Sequence, residues 1–372
     1  MSVPLKESAF TPERIFRLGS EICQVHQTFL ADEFSDEVLS GIVPLELKAR
    51  IEFVSDALKR YLPSDYKKAV EVLLAALPAN DDAIDSDFGL FIYAPHSHFV
   101  AANGLKREHL QVSLGALEEF TKWFSAEEAL RHFLNAFENE TMEAIKGWTS
   151  ARDHRVRRLA SEGTRPRLPW AIGIDMPPQR AIPILDALHA DTSSFVTRSV
   201  ANHMNDLSRI DSELVLDTLR KWAHSRTNPL DRTGSLARRS LRTLLATGHG
   251  PAFRFLGYAT PPGVAVTDLQ IRGGPIGIGA DLVFDLTLCA TRAEPIMVDF
   301  SIAYADGQGG QRSAKVFKLR DTNMAPGQEL TITKRRPMKQ LATRKLHTGE
   351  HKLAVSVNGT QMAEASFVLE EA

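Results

Sequence analysis

Arginine is spread through the middle of this 372-residue chain in a pattern that suits a polyanion. In RVRRLASE (155–162), and in FVTRSVAN (195–202) with the residues after it, a helical period sets Arg158 beside Glu162, and Arg198 beside Asn202 and Asp206. Each face thus alternates basic and acidic groups, although each carboxylate could simply pair with the arginine before it. The sequence then leaves the helix at GTRPRLPW (163–170), where two prolines stiffen a loop carrying Arg165, Arg167 and Trp170. Guanidinium forks bind phosphate oxygens in pairs and an indole offers a face to a base, so this stretch fits a nucleic acid. Other candidate chemistry is thin. His96 and His98 in PHSHF (95–99) lack a third ligand at a metal-like spacing and read as a surface loop. Cys23 and Cys289 offer neither a disulfide framework nor a thiolate site, and read as buried apolar residues. GGPIGIGAD (273–281) precedes no helix that could bind phosphate and reads as a flexible loop. No metal and no organic cofactor is expected.

These residues need elements to hold them. From Thr11 to about Leu256, apolar residues recur at spacings of three and four, as in helices. RVRRLASE (155–162), FVTRSVAN (195–202) and SLARRSLR (235–242) align at a 40-residue offset, with Val156, Val196 and Leu236 in one column and Arg158, Arg198 and Arg238 in another. An apolar helical stretch precedes each: MEAIKGW (142–148), IPILDAL (182–188) and LVLDTLRKW (214–222). The unit is a helix pair with the period of HEAT-like solenoids, whose second helices line a concave face where an arginine column would make a basic trough. The arginines could instead bridge neighbouring repeats. After Pro261-Pro262-Gly263 the texture changes to seven short alternating runs: VAVTDLQI (264–271), ADLVFDLTLCA (280–290), PIMVDFSIAYA (295–305), AKVFKL (314–319), ELTITK (329–334), HKLAVSVN (351–358) and QMAEASFVLE (361–370). Such runs predict a β-sandwich, and Asn358-Gly359 between the last two fits a type I′ hairpin turn. The expected fold is an all-α HEAT-like repeat solenoid over 1–258 followed by an all-β immunoglobulin-like sandwich over 259–372.

Charge follows the same division. The net charge of −2 conceals −10 over residues 1–149 and +7 over residues 150–254, where Lys221 is the only lysine among 17 basic side chains. No apolar run reaches the roughly 18 residues of a membrane span. The opening MSVPLKESAFTPERIF lacks the apolar core of a secretion signal, so a cytoplasmic protein without membrane contact is expected.

SEGTRPRLPW (161–170), following GWTSARDHRVRRLA (147–160), resembles the signature of the AlkC branch of alkylation-repair DNA glycosylases. RSVANHMNDLSR (198–209) resembles that family's next repeat, and the likeness spreads over about residues 10–256. The related AlkD branch has a tryptophan-rich helix, and a tryptophan around the position of Asn202, which favours AlkC for this sequence. The resemblance implies hydrolysis of the N-glycosidic bond of cationic N3-methylated bases, chiefly 3-methyladenine and secondarily 3-methylcytosine, in double-stranded DNA. It also implies a C-terminal immunoglobulin-like domain, which some members carry. A base methylated at N3 is already a good leaving group, and its departure leaves an oxocarbenium-like sugar. A carboxylate near C1′ could stabilise that charge and orient or deprotonate a water. Glu119 in GALEEF (115–120), Glu162 and Asp206 are the candidates, with Glu118 the nearest rival.

Trp170 and Asn202 are expected at the lesion, whereas Trp123, Trp148 and Trp222 fit the core. Arg152, Arg158, Arg165, Arg167, Arg198 and Arg238 are expected to meet DNA. So is TKRRPMKQLATRKLH (333–347) in the β domain, which carries Lys334, Arg335, Arg336, Lys339, Arg344 and Lys345 and no acid. It would clamp the duplex, or serve only as a solvated connection between strands. A lyase step needs an amine nucleophile, and the basic third offers only Lys221, so a monofunctional enzyme is expected; separately, a monomer is expected. A non-catalytic HEAT-repeat scaffold or DNA-structure-binding protein, and an RNA-binding helical repeat, are the other readings.

Overall fold

The computed structural model describes residues 4–78, 89–224, 230–308, 310–340 and 345–371. Its α-helices are α1 (Leu5–Ala9), α2 (Pro12–Val25), α3 (Ala31–Ile42), α4 (Leu47–Tyr61), α5 (Tyr66–Ala75), α6 (Ala94–Gly104), α7 (Leu110–Phe120), α8 (Glu127–Ala136), α9 (Glu138–Trp148), α10 (His154–Glu162), α11 (Ile182–Leu188), α12 (Ser194–Leu207), α13 (Ser212–His224), α14 (Leu230–Ser240), α15 (Arg242–Ala246) and α16 (Gly250–Phe255). Side-chain caps fix several of their starts. Thr11, Asp65, Asp153 and Ser193 each accept a bond from a backbone N–H of the helix they precede. The pairs α9–α10, α11–α12 and α13–α14 reproduce the helix pairs expected from the 40-residue offset. Within this array α10 packs on α12, burying Val156, Leu159 and Ala160 of one and Phe195, Val196 and Val200 of the other. Among the described residues, no helix is long and apolar enough to cross a membrane.

The chain forms two compact units, Met1–Ile210 with Trp222–Leu236, and Asp211–Lys221 with Ala237–Ala372. The second reaches upstream of the change in texture at 259–263 for a packing reason. Phe253, Tyr258 and Met297 form a small buried core with Leu245 and Leu256, so the last helices share apolar surface with the strands. Those strands are β1 (Val264–Ile271), β2 (Ile276–Gly277), β3 (Asp281–Ala290), β4 (Glu294–Ala303), β5 (Lys315–Met324), β6 (Glu329–Pro337), β7 (Gly349–Val357) and β8 (Thr360–Glu370). A three-stranded sheet, ordered β1-β3-β6, and a five-stranded sheet, ordered β2-β8-β7-β4-β5, enclose one apolar core that includes Phe284, Leu286, Val298, Phe300, Leu353 and Val355.

Three local readings change. The glycine-rich 273–281 contributes the short strand β2, parallel to β8, because Ile276 is apolar enough to be buried. PHSHF is not a surface loop. Pro95 stands in the first turn of α6, where its missing N–H costs nothing, and His96 is only 1 % exposed. Cys23 and Cys289 are free and half-buried rather than core residues.

The Asn358-Gly359 turn has the positive φ values that its sequence predicted, 46° and 78°. It is also a structural tie within the second unit. Asn358 Oδ1 accepts from Met297 N at 2.8 Å, and Asn358 Nδ2 donates to Ala259 O at 3.0 Å. A Cβ on Gly359 would stand 2.5 Å from the Phe253 ring. Gly359→Ala is therefore expected to destabilise the protein by about 2 kcal/mol or more, from strain at positive φ together with overpacking. A urea titration would show this as a lower midpoint at constant slope.

Candidate active site

One arginine joins the carboxylates of two successive repeats. Glu162 ends α10, Asp206 lies in the last turn of α12, and Arg165 stands in the loop that follows α10. Arg165 Nη1 donates to Glu162 Oε1 at 2.6 Å and Arg165 Nε donates to Asp206 Oδ2 at 2.8 Å. Arg165 Nη2 lies 2.7 Å from the same Asp206 oxygen, completing a two-nitrogen grip. The other Glu162 oxygen accepts from Ser199 Oγ at 2.6 Å, and Arg158 Nη2 lies 3.7 Å from Glu162 Oε1. Burial pushes the Glu162 carboxyl up, but Arg158, Arg165 and the Ser199 hydroxyl outweigh burial and hold it below its ordinary value. Behind it, burial wins at Glu127, whose carboxyl is raised despite Arg158. His203 is fully buried with Nδ1 3.0 Å from Ser161 O, and burial pushes its imidazole down to about 3.

Of the two carboxylates held by Arg165, Asp206 is the one that borders a cleft, although its side chain is only 10 % exposed. It lines this cleft of about 440 Å³ together with Arg131, Arg165, Arg167, Arg209 and, from the loop between Pro166 and Gly173, every residue except Trp170. Glu162 is not among the lining residues. The cleft therefore has an arginine-rich wall around one negative spot, which favours anions at its sides and positive charge at Asp206. On the same loop Trp170 is 85 % exposed, whereas Trp123, Trp148 and Trp222 are buried. Among the described residues, no three His, Cys, Asp or Glu side chains are grouped so as to hold a metal ion.

The C-terminal part matches a known family. A family model described as the C-terminal Ig-like domain of the uncharacterised protein YhaZ covers residues 265–371. Protein YhaZ of Bacillus subtilis (strain 168) is 31 % identical over 359 residues, which cover 95 % of this chain and 96 % of that protein. Pseudomonas fluorescens alkylpurine DNA glycosylase AlkC, in a structure bound to DNA containing an abasic site analog, matches with a TM-score of 0.87. Its identity is 33 %, over 99 % of this chain and 100 % of that one. The chain belongs to the AlkC family.

In this AlkC-family chain the expected site residues separate. Glu162, Arg165 and Asp206 come together, with Arg167 beside them on the cleft wall. Arg152 and Arg198 are exposed, and Asn202 is half-buried on the α12 face shared with Arg198 and Asp206. Arg158 departs from its expected place at the surface. It is buried, donates to Ser125 Oγ at 2.6 Å and lies over the Phe195 ring at 4.6 Å, so it braces helices instead. Arg238 keeps a side chain that is 42 % exposed but is engaged within its own unit, donating to Tyr258 Oη at 2.6 Å and pairing with Asp321 at 3.1 Å. Glu118 accepts from the Trp148 indole at 2.9 Å, which leaves Glu119 as the outward carboxylate of GALEEF, paired with Lys122 at 2.6 Å.

The basic segment of the β domain is also redistributed. β6 extends to Pro337, so Lys334 and Arg336 alternate inward, with Arg336 over the Phe317 ring at 4.0 Å. Arg335, Lys339 and Lys345 remain exposed, and Arg344 lies outside the described residues. Two contributors were missed in the sequence, Ser199 and Arg131. Each is a polar residue within an apolar helical stripe, which is the signal that could have found them.

Proposed function

We propose that this protein is a monofunctional DNA glycosylase that hydrolyses the N-glycosidic bond of cationic N3-methylated bases, 3-methyladenine and 3-methylcytosine, in duplex DNA. The observation that carries this reading is Asp206, a carboxylate fixed by Arg165 in the lining of an arginine-rich cleft. The full-length likeness to an alkylpurine DNA glycosylase solved on DNA supports the same reading. In the reaction, the C1′–N bond breaks with both electrons passing to the methylated base, which leaves neutral. Positive charge then develops on the sugar, and Asp206 stabilises it at close range. A water oxygen bonds to C1′ and gives up a proton to Asp206, leaving an abasic sugar. Arg165 sets the Asp206 carboxylate, Glu162 holds Arg165, and Arg152, Arg167 and Arg198 take phosphates. Trp170 offers its π face to the cationic base, and Asn202 faces the same strand.

The direct test is to incubate duplex DNA treated with a methylating agent and to look for released 3-methyladenine and 3-methylcytosine. Release establishes the activity. DNA binding without release would make the protein a non-catalytic DNA-binding array.

We assign the chemistry to residues 1–258 of a cytoplasmic monomer and a grip on the duplex to residues 259–372. Arg335, Lys339 and Lys345 are the exposed cations for that grip. Changing all three to glutamine should lower the salt dependence of binding by about 0.9 in log–log slope for each phosphate that is no longer neutralised. The weakening should be equal for damaged and undamaged duplex. An unchanged slope would remove the clamp from this reading.

A further inference from the structure

Arg131 is an arginine on the buried side of α8, and its side chain is wholly shielded from solvent. Carbonyl oxygens, rather than a carboxylate, take its N–H groups. Nε donates to Ile172 O at 2.5 Å, Nη1 to Arg165 O at 2.7 Å and Gly163 O at 3.3 Å, and Nη2 to Pro166 O at 3.5 Å. Three of these carbonyls come from the start of the Trp170 loop and one from its end, so a single guanidinium draws the two ends together. One turn along α8, Asn135 Nδ2 donates to Gly173 O at 3.0 Å, and Asn135 Oδ1 accepts from Asp175 N at 3.2 Å. Two residues spaced i, i+4 on one helix thus clasp the loop where it returns. Between these anchors Trp170 stands exposed, and Arg165 is turned back onto Glu162 and Asp206.

Burying a cation away from a carboxylate is costly unless its N–H groups are satisfied, and simple packing would be served by a leucine. Burial pulls the Arg131 guanidinium down to about 10, with Arg165 acting in the same direction and Asp206 opposing it. It stays charged at neutral pH, and it backs the wall of the cleft without being exposed in it. Its fork spans carbonyls that a lysine nitrogen cannot reach together, because lysine places its three donors on one atom. We propose that Arg131 is a positioning residue that holds the Trp170 loop closed and thereby sets Arg165 on Asp206. This rests on the glycosylase reading only for its consequence in rate, since the loop geometry can be read without catalysis.

The experiment uses full-length protein labelled with 5-fluorotryptophan, which gives one fluorine resonance for each of its four tryptophans, with Trp170 assigned from Trp170→Phe. Arg131→Lys should shift and narrow the Trp170 resonance while those of Trp123, Trp148 and Trp222 stay in place. The single-turnover rate of base release should fall about 10- to 100-fold, as expected when a reacting group is mispositioned, with DNA affinity kept within about threefold. A Trp170 resonance at its original position, or a joint movement of all four, would overturn the proposal. If Arg131→Lys fails to fold, Asn135→Ala decides. Movement of the Trp170 resonance alone supports the clasp, and no movement overturns it. Should the unmodified protein release no base, the glycosylase reading falls, while the fluorine spectra still decide the role of Arg131.

Discussion

Asp206→Asn is expected to slow release of methylated bases by about 100- to 1000-fold, the scale of losing one preorganised electrostatic partner of a transition state. The change keeps shape and removes charge. An asparagine oxygen can still accept from Arg165, so the loop keeps its anchor, but the sugar loses the anion that meets its developing charge. The Arg165 and Asp206 side chains are only 12 % and 10 % exposed, so some stability is lost as well. Assays well below the unfolding temperature separate that loss from the rate. Glu162→Gln should behave differently. It leaves Arg165 with Asp206 and Arg158 with Glu127 as their remaining countercharges, and it should lower stability and rate together, by about 1 to 3 kcal/mol in stability. Glu119→Gln belongs in the same series, because that carboxylate is half-exposed on α7. Full activity in Asp206→Asn would sink the assignment, and a large loss in Glu119→Gln would move it there.

The contrast among these carboxylates shows what the sequence could carry. Helix pairs were legible because the apolar period and the 40-residue offset depend only on spacing, and the Asn358-Gly359 turn because its φ values select its residues. The direction of the arginines was not legible. Arg158, Arg198 and Arg238 occupy one column of the repeat, yet Arg198 is exposed, Arg158 is buried against Phe195, and Arg238 is bonded to Tyr258. A period identifies a face but not what the rest of the chain sets opposite it. The same limit hid the grip on Asp206. Two prolines announced a stiff loop, but its path over Glu162 and Asp206 depends on Arg131, which belongs to the preceding helix pair. His96 was misread for a related reason, since a proline can begin a helix as well as end one.

That misread histidine leads to the largest expected change in stability. His96 and His203 are both wholly buried, and burial pushes each imidazole down to about 3. At His96 the neighbours are the rings of Tyr93 and Phe120, with centroids 5.6 and 5.3 Å away, and Nδ1 has no partner. At His203, Arg165 and Arg131 reinforce burial, while the Ser161 carbonyl and Glu162 oppose it. Both are neutral in the fold, whereas in the unfolded chain each takes up a proton below about pH 6.5. The unfolded state therefore binds more protons, and stability falls as pH falls through that value, by roughly 1.4 kcal/mol per unit for each imidazole. From pH 6.5 to 4.5 the two together should cost about 5 kcal/mol, a large part of the total stability of an ordinary domain. Glu162 acts in a different window. Its lowered carboxyl withdraws stability only below the ordinary carboxylate value, where it adds to a histidine loss that began near pH 6.5 and continues toward pH 3. Urea midpoints measured at half-unit steps should thus begin to drop near pH 6. His203→Asn, which keeps a donor toward Ser161 O, should remove about half of that slope. Asp299, whose carboxyl burial raises to about 6, gains stability as pH falls over the same range and offsets part of this loss, so the comparison with the variant decides: a slope left unchanged by His203→Asn would mean that water or a hidden partner lets His203 take up a proton inside the fold.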